Sequence, residues 1–197
     1  MIILGLTGSI GSGKSLAAKF FRSKQIPVYD ADKEVHKILK NYKIIKKIKI
    51  FFPDCFEKNK LNKNKLADIV FKNKKKLKKL ESIIHPKVGK VKKNFLAIHK
   101  KKKTSIVILE IPILFEIKGE KSCNFIILMT INKKEQLKRL LKRKSISKER
   151  YKQIITNQMN DKYKKTKADF IVSNNSSKKK TIKKLELILK KILTTDL

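Results

Sequence analysis

Eight residues near the start of the chain, Gly8-Ser9-Ile10-Gly11-Ser12-Gly13-Lys14-Ser15, set glycines, a lysine and a hydroxyl at the spacing GxxxxGKS. Such a stretch can hold a phosphate. Glycine admits positive φ and close backbone approach, so successive N–H groups can point at phosphate oxygens beside the positive end of a following helix. Lys14 then reaches the β- and γ-phosphates, and the Ser15 hydroxyl suits Mg²⁺. The chain has only six glycines, and four of them fall within its first thirteen residues. Gly8, Gly11, Ser12, Gly13, Lys14, Ser15 and Leu16 therefore form the predicted cradle. The pattern implies a nucleoside triphosphate and leaves the reaction open.

Two carboxylates follow in Tyr29-Asp30-Ala31-Asp32. At the carboxyl end of a parallel strand they face the ligand crevice. One can accept a hydroxyl proton and the other can help hold Mg²⁺ through water, although turns and helix caps also use Asp. No glycine has Asp three residues before it, and Asn132-Lys133-Lys134-Glu135 ends in Glu where a guanine reader needs Asp. A signalling GTPase is disfavoured.

Lysine and arginine together number 52 against 16 acids, for a net charge of +36. Only four of the 52 are arginine: 22, 139, 143 and 150. Nucleic-acid readers favour arginine, so the lysine excess implies a solvated surface with no specific nucleic-acid partner. Arg139 and Arg143 stand four apart and share a helix face. A planar fork neutralises phosphate in a way lysine does not, so these two are predicted to act catalytically on the phosphates. Arg22 and Arg150 are lesser candidates.

These residues need elements to position them. Apolar runs at 2–7, 26–30, 105–112, 124–131 and 168–174 read as buried strands. Between them, helical spacing appears at 15–24, 33–50 and 135–144, and again at 178–193. Asn132 is the predicted N-cap of the helix at 133, with Glu135 completing a capping box. The prolines in Phe51-Phe52-Pro53 and His85-Pro86 mark expected helix boundaries. The alternation predicts an α/β domain, a parallel sheet with helices on both faces, interrupted by a lysine-rich helical block. Cys55 and Cys123 lack metal or disulfide spacing. No run reaches the ~20 apolar residues of a membrane span, and no leader peptide is evident at the N-terminus. The expectation is a cytoplasmic monomer or small homo-oligomer away from membranes.

Taken in order, IILGLTGSIGSGKS, PVYDAD, LESIIHP, LEIPILFE, Gln158 in ITNQM and ADFIVSNN resemble the dephospho-CoA kinase family over essentially the whole chain. The resemblance implies a P-loop kinase fold with a five-stranded parallel core (1–32, 104–140 and 166–197), a helical substrate subdomain (about 33–103) and a lid (about 141–165). It implies transfer of the γ-phosphate of ATP to the ribose 3′-hydroxyl of dephospho-CoA. Asp32 then matches the catalytic base and Asp30 the first acid of that motif. His85 and Pro86 match the substrate site, as do Pro112, Leu114 and Glu116. Glu110 would join Ser15 at the metal, and Asn174 and Asn175 would lie near the adenine.

The chain departs from the family pattern at Ser9, where glycine is common and serine requires negative φ. It departs again at Lys63, where arginine is frequent. A kinase of another small acceptor, such as a nucleoside monophosphate, and a lysine-rich RNA-binding protein are the alternatives.

Overall fold

The apolar runs become the sheet. In a computed structural model that describes residues 1–141 and 148–194, the chain forms β1 (Ile2–Thr7), α1 (Lys14–Ser23), β2 (Val28–Asp30), α2 (Ala31–Ile38) and α3 (Tyr42–Phe51). Then come β3 (Phe56–Glu57), β4 (Lys60–Leu61), α4 (Lys63–Lys72), α5 (Lys74–Lys101) and β5 (Ile106–Glu110). The remainder is β6 (Phe125–Thr130), α6 (Lys133–Leu141), α7 (Lys148–Asn157), α8 (Asp161–Lys167), β7 (Phe170–Ser173) and α9 (Lys178–Leu193). Two units result: Met1–Asp30 with His99–Leu197, and Ala31–Ile98.

In the first unit five parallel strands lie in the order β2-β5-β1-β6-β7. All five residues of β5 are buried, which is why that stretch is continuously apolar rather than alternating. Leu4, Leu6, Ile108, Ile127 and Met129 meet Phe21 of α1 and Leu185 and Ile192 of α9. Each such side chain contributes about 1.5–3 kcal/mol on burial. The opposite face carries Gly5, where a Cβ would meet Leu114, and α8 lies against β6. The chain winds one way from β1 to β2 and the other way to β6 and β7. The carboxyl end of β1 is thus a topological switch point, the place where such sheets bind ligands.

The second unit gathers Ile38, Ile44, Ile48, Phe52, Cys55, Leu66, Val70 and Ile84 into its own core. Three expectations change here. The single helix over 33–50 is two, because Asn41 Oδ1 accepts the N–H groups of Lys43 and Ile44 at 3.1 and 3.4 Å and starts α3 afresh. A hairpin, β3–β4, sits in the block read as mostly helical. Lys58 and Asn59 take φ of 46° and 61°, the pair of left-handed residues that a two-residue turn needs. Finally, Pro86 lies inside α5 rather than at its end. It cannot donate to the Ser82 carbonyl, but Ile83, Ile84 and Val88 pack into the core on either side of it, and that burial keeps the helix continuous. The boundary at Pro53 stands, with α3 ending at Phe51.

Candidate active site

Thr7 ends the central strand, and the chain turns through Gly8–Gly13 into α1. Gly8 has φ 143°, and a Cβ there would lie 2.3 Å from the Met129 carbonyl oxygen. Gly13 has φ 102°, and its Cβ would lie 2.0 Å from Asn174 Nδ2. Ser9 is not among the described residues with positive φ, so the serine fits without strain.

Three side chains grip the carbonyls of this loop. Lys14 Nζ donates to Gly8 O at 2.7 Å and Ser9 O at 3.1 Å. Gln136 Nε2 donates to Ile10 O at 2.7 Å, and Asn174 Nδ2 to Ser12 O at 2.9 Å. In a planar trans peptide the N–H points opposite to the C=O. Holding these four carbonyls therefore aims the N–H groups of Ser9, Ile10, Gly11 and Gly13 the other way. Among the described residues those four N–H groups meet no protein acceptor. Unsatisfied amides in a turn at a helix start can form an anion nest. Leu16 is already helical, its N–H bonded to Gly13 O at 3.0 Å. Ser12 Oγ is buried without a hydrogen-bond partner.

Beside the nest, Asp30 and Glu110 are register partners at the carboxyl ends of β2 and β5. Arg22 Nη2 lies 3.7 Å from Asp30 Oδ2 and 3.8 Å from Glu110 Oε2. Ser15 is exposed in the first turn of α1. One hydroxyl and two strand-end carboxylates fit Mg²⁺, which takes oxygen ligands and keeps much of its shell from phosphates and water. No group of three or more His, Cys, Asp or Glu side chains among the described residues could hold a metal by itself.

Asn174 is 3% exposed and fully engaged. Besides gripping Ser12 O, its Oδ1 accepts from Thr181 Oγ1 at 3.0 Å, its N–H reaches Thr130 O at 2.8 Å, and its carbonyl accepts from Arg139 Nη2 at 2.8 Å. Its side chain braces the loop, both ends of the amide being used within the protein. Asn175 Oδ1 accepts the Asn132 N–H at 2.8 Å, while Asn132 Oδ1 caps Glu135 N at 2.8 Å. The predicted cap is present, with Asn175 in the return role assigned to Glu135. Arg139 is thus held at the loop's brace. Arg143 and the side chain of Arg150 lie outside the described residues.

After β5, the Pro112 carbonyl accepts from Thr7 Oγ1 at 3.1 Å. Leu114, expected at the substrate, is fully buried against Gly5 and Gly119, because the glycine at 5 leaves a hollow that only a neighbour's side chain can fill. Glu116, expected there too, is turned inward. Its Oε1 accepts Met159 N at 2.8 Å and lies 2.9 Å from Nζ of the fully buried Lys164.

A cavity of about 270 Å³ opens beside Ser9, lined by Gln136, Tyr151, Ile155, Gln158 and Asp161 among others. Tyr151 OH donates to Gln136 Oε1 at 3.0 Å. Burial, with the nearby Asp161 charge, pushes the Tyr151 phenol above its ordinary pKa. Gln158 Oε1 is buried and without a partner. Gln136, Tyr151, Asp161 and Thr181 were not foreseen; only Gln136, three residues before Arg139 on the same helix face, carried a signal.

In the second unit, Asp32 is exposed in the first turn of α2, and His85 and Pro86 are exposed on α5. Lys63 Nζ, in the place expected of arginine, lies 3.3 Å from His36 Nε2.

A strand, an amide nest, a helix and strand-end carboxylates at the switch point of a five-stranded parallel sheet define a P-loop kinase. The family model for dephospho-CoA kinase matches residues 2–180, and the chain belongs to that family. The dephospho-CoA kinase of Bartonella henselae is 36% identical over 193 residues, spanning 98% of this chain and 99% of that protein. The solved dephospho-CoA kinase of Campylobacter jejuni is 28% identical with a TM-score of 0.70, covering 96% of both chains. TT1252 of Thermus thermophilus, also a crystal structure, is 31% identical with a TM-score of 0.79, covering 99% of this chain and 98% of that one.

Proposed function

We propose how this chain's residues divide the labour of the family's reaction, transfer of the γ-phosphate of ATP to the 3′-hydroxyl of dephospho-CoA, the last step of coenzyme A synthesis. The reading rests on one observation above the rest: four loop N–H groups without acceptors, aimed by gripped carbonyls. These amides hold the phosphates, and Lys14, now folded onto Gly8 O and Ser9 O, turns to the transferring group when phosphate arrives. Asp32 takes the proton of the acceptor hydroxyl. Arg139, with Arg143, offsets charge on the phosphoryl oxygens. Ser15, with Glu110 and Asp30 through water, would hold Mg²⁺. When bound, the ion neutralises charge on the β- and γ-oxygens. His85, Pro86 and Pro112 receive the acceptor. Positioning and preorganised charge carry most of the rate.

The protein is read as working in the cytoplasm, with small-molecule substrates and no dedicated nucleic-acid partner. No helix among the described residues is long and apolar enough to cross a membrane. A coupled ADP-release assay with ATP and dephospho-CoA tests the reading. Turnover that Asp32→Asn removes while ATP still binds supports it. Folded protein that turns over AMP or UMP and ignores dephospho-CoA overturns it.

A further inference from the structure

The loop has a fourth tie, different in kind from the three that grip its carbonyls. Ser9 Oγ donates to Asp161 Oδ1 at 2.5 Å, with Ser9 only 4% exposed. It is the tie that uses a loop side chain, and it ends on a carboxylate. Asp161 opens α8, and Asn160 just before it caps that helix through Lys162 N at 2.9 Å, so the acid stands on a fixed backbone. A second strand of contact runs parallel to it, from Tyr151 of α7 through Gln136 to Ile10 O. Helices α7 and α8 are therefore each fastened to the phosphate loop, one at Ile10 and one at Ser9. Both fastenings border the same cavity.

We propose that Asp161 is a positioning residue for the phosphate loop, acting through Ser9. A glycine at position 9 would have no hydroxyl to make this tie; the serine supplies it. A hydrogen bond to an ionised acceptor is stronger than a neutral one. It fixes the Ser9 peptide, whose N–H belongs to the nest and whose carbonyl holds Lys14. The tie thus holds the loop in its phosphate-accepting shape before ATP arrives, and nucleotide affinity carries the benefit. Asp161 itself does not touch the reacting atoms.

The inference rests on the kinase reading, and direct nucleotide binding separates the two. Titration of the full chain with a non-hydrolysable ATP analogue, alongside steady-state kinetics, is the experiment. Ser9→Ala and Asp161→Ala are expected to weaken analogue binding and raise KM for ATP by about five- to twentyfold, leaving KM for dephospho-CoA unmoved. The double variant should be no worse than either single one, because both remove the same contact. Asp161→Asn, which keeps an acceptor but loses its charge, should fall between wild type and Asp161→Ala. Ser9→Gly, which needs no new packing, reports on the same tie if Asp161→Ala fails to fold. Unchanged or tighter analogue binding in Ser9→Gly or Asp161→Ala, or additive effects in the double variant, overturns the proposal. Wild type that binds the analogue but ignores dephospho-CoA overturns the kinase reading instead.

Discussion

Asp30 and Glu110 face each other as register partners on adjacent parallel strands, and the single guanidinium of Arg22 lies within 4 Å of both. Two carboxylates held side by side repel. Arg22 is 38% exposed in its side chain, so its pairing adds little to stability. Its effect is to fix where the two acids point. Arg22→Gln is expected to lower turnover by more than tenfold, about 1.4 kcal/mol, with a melting temperature close to wild type. Steady-state kinetics beside thermal unfolding check both halves.

Asn174→Ala removes the brace on Ser12 O and leaves Thr181 Oγ1 with the Ser177 carbonyl, 3.3 Å away. Orphaning buried polar groups costs about 1–3 kcal/mol. Denaturant unfolding should show that loss, and ATP binding should weaken in the same variant, because the Gly13 N–H depends on the Ser12 carbonyl for its aim.

Two glycines give opposite outcomes. Gly13→Ala would combine φ of 102° with a Cβ 2.0 Å from Asn174 Nδ2, and ATP binding should be lost. Gly89 lies within α5, and a Cβ there meets nothing within 4 Å. Gly89→Ala should therefore raise stability by about 0.5–1 kcal/mol and leave kinetics unchanged. Calorimetric titration and thermal melts distinguish the two.

His99, near the end of α5, has its Nδ1 3.2 Å from Thr104 Oγ1. Burial, then the Lys102 charge, lowers its pKa below the ordinary value. The unfolded chain therefore binds this proton more readily than the folded one. The histidine's contribution is fully present above about pH 6.5, the unfolded value, and is lost as pH falls from there through the lower folded value. Between pH 7.5 and 5 the melting temperature of wild type should drop further than that of His99→Gln, followed by scanning calorimetry.

Buried strands were legible because Ile106–Glu110 and Phe125–Thr130 are apolar at nearly every position, and α9 because its apolar spacing matches Lys178–Leu193 to the residue. The nest was legible because glycine is scarce elsewhere. What escaped was set by tertiary contact. Pro86 breaks helices locally, yet burial of its neighbours overrides it. Lys58 and Asn59 form a turn without the glycine that announces one. Asn174 sits at the expected place after the last strand, but its hydrogen bonds to Ser12, 162 residues away, and to Thr181 cannot be read from spacing. For Leu114 and Glu116, the inward turn of both side chains is set by Gly5, Gly119, Met159 and Lys164, contacts that no local spacing shows.

Lys164 is the fully buried lysine among the described residues, its amine clasped by Glu116 in a chain whose surface is otherwise coated with lysine. Amine-acylating reagents will therefore modify the coat quickly and this site slowly. Its labelling rate, read by peptide mass spectrometry against that fast background, is a clock for how often α8 lifts from the body of the enzyme. ATP binding that clamps the helix should slow the clock without any engineered probe.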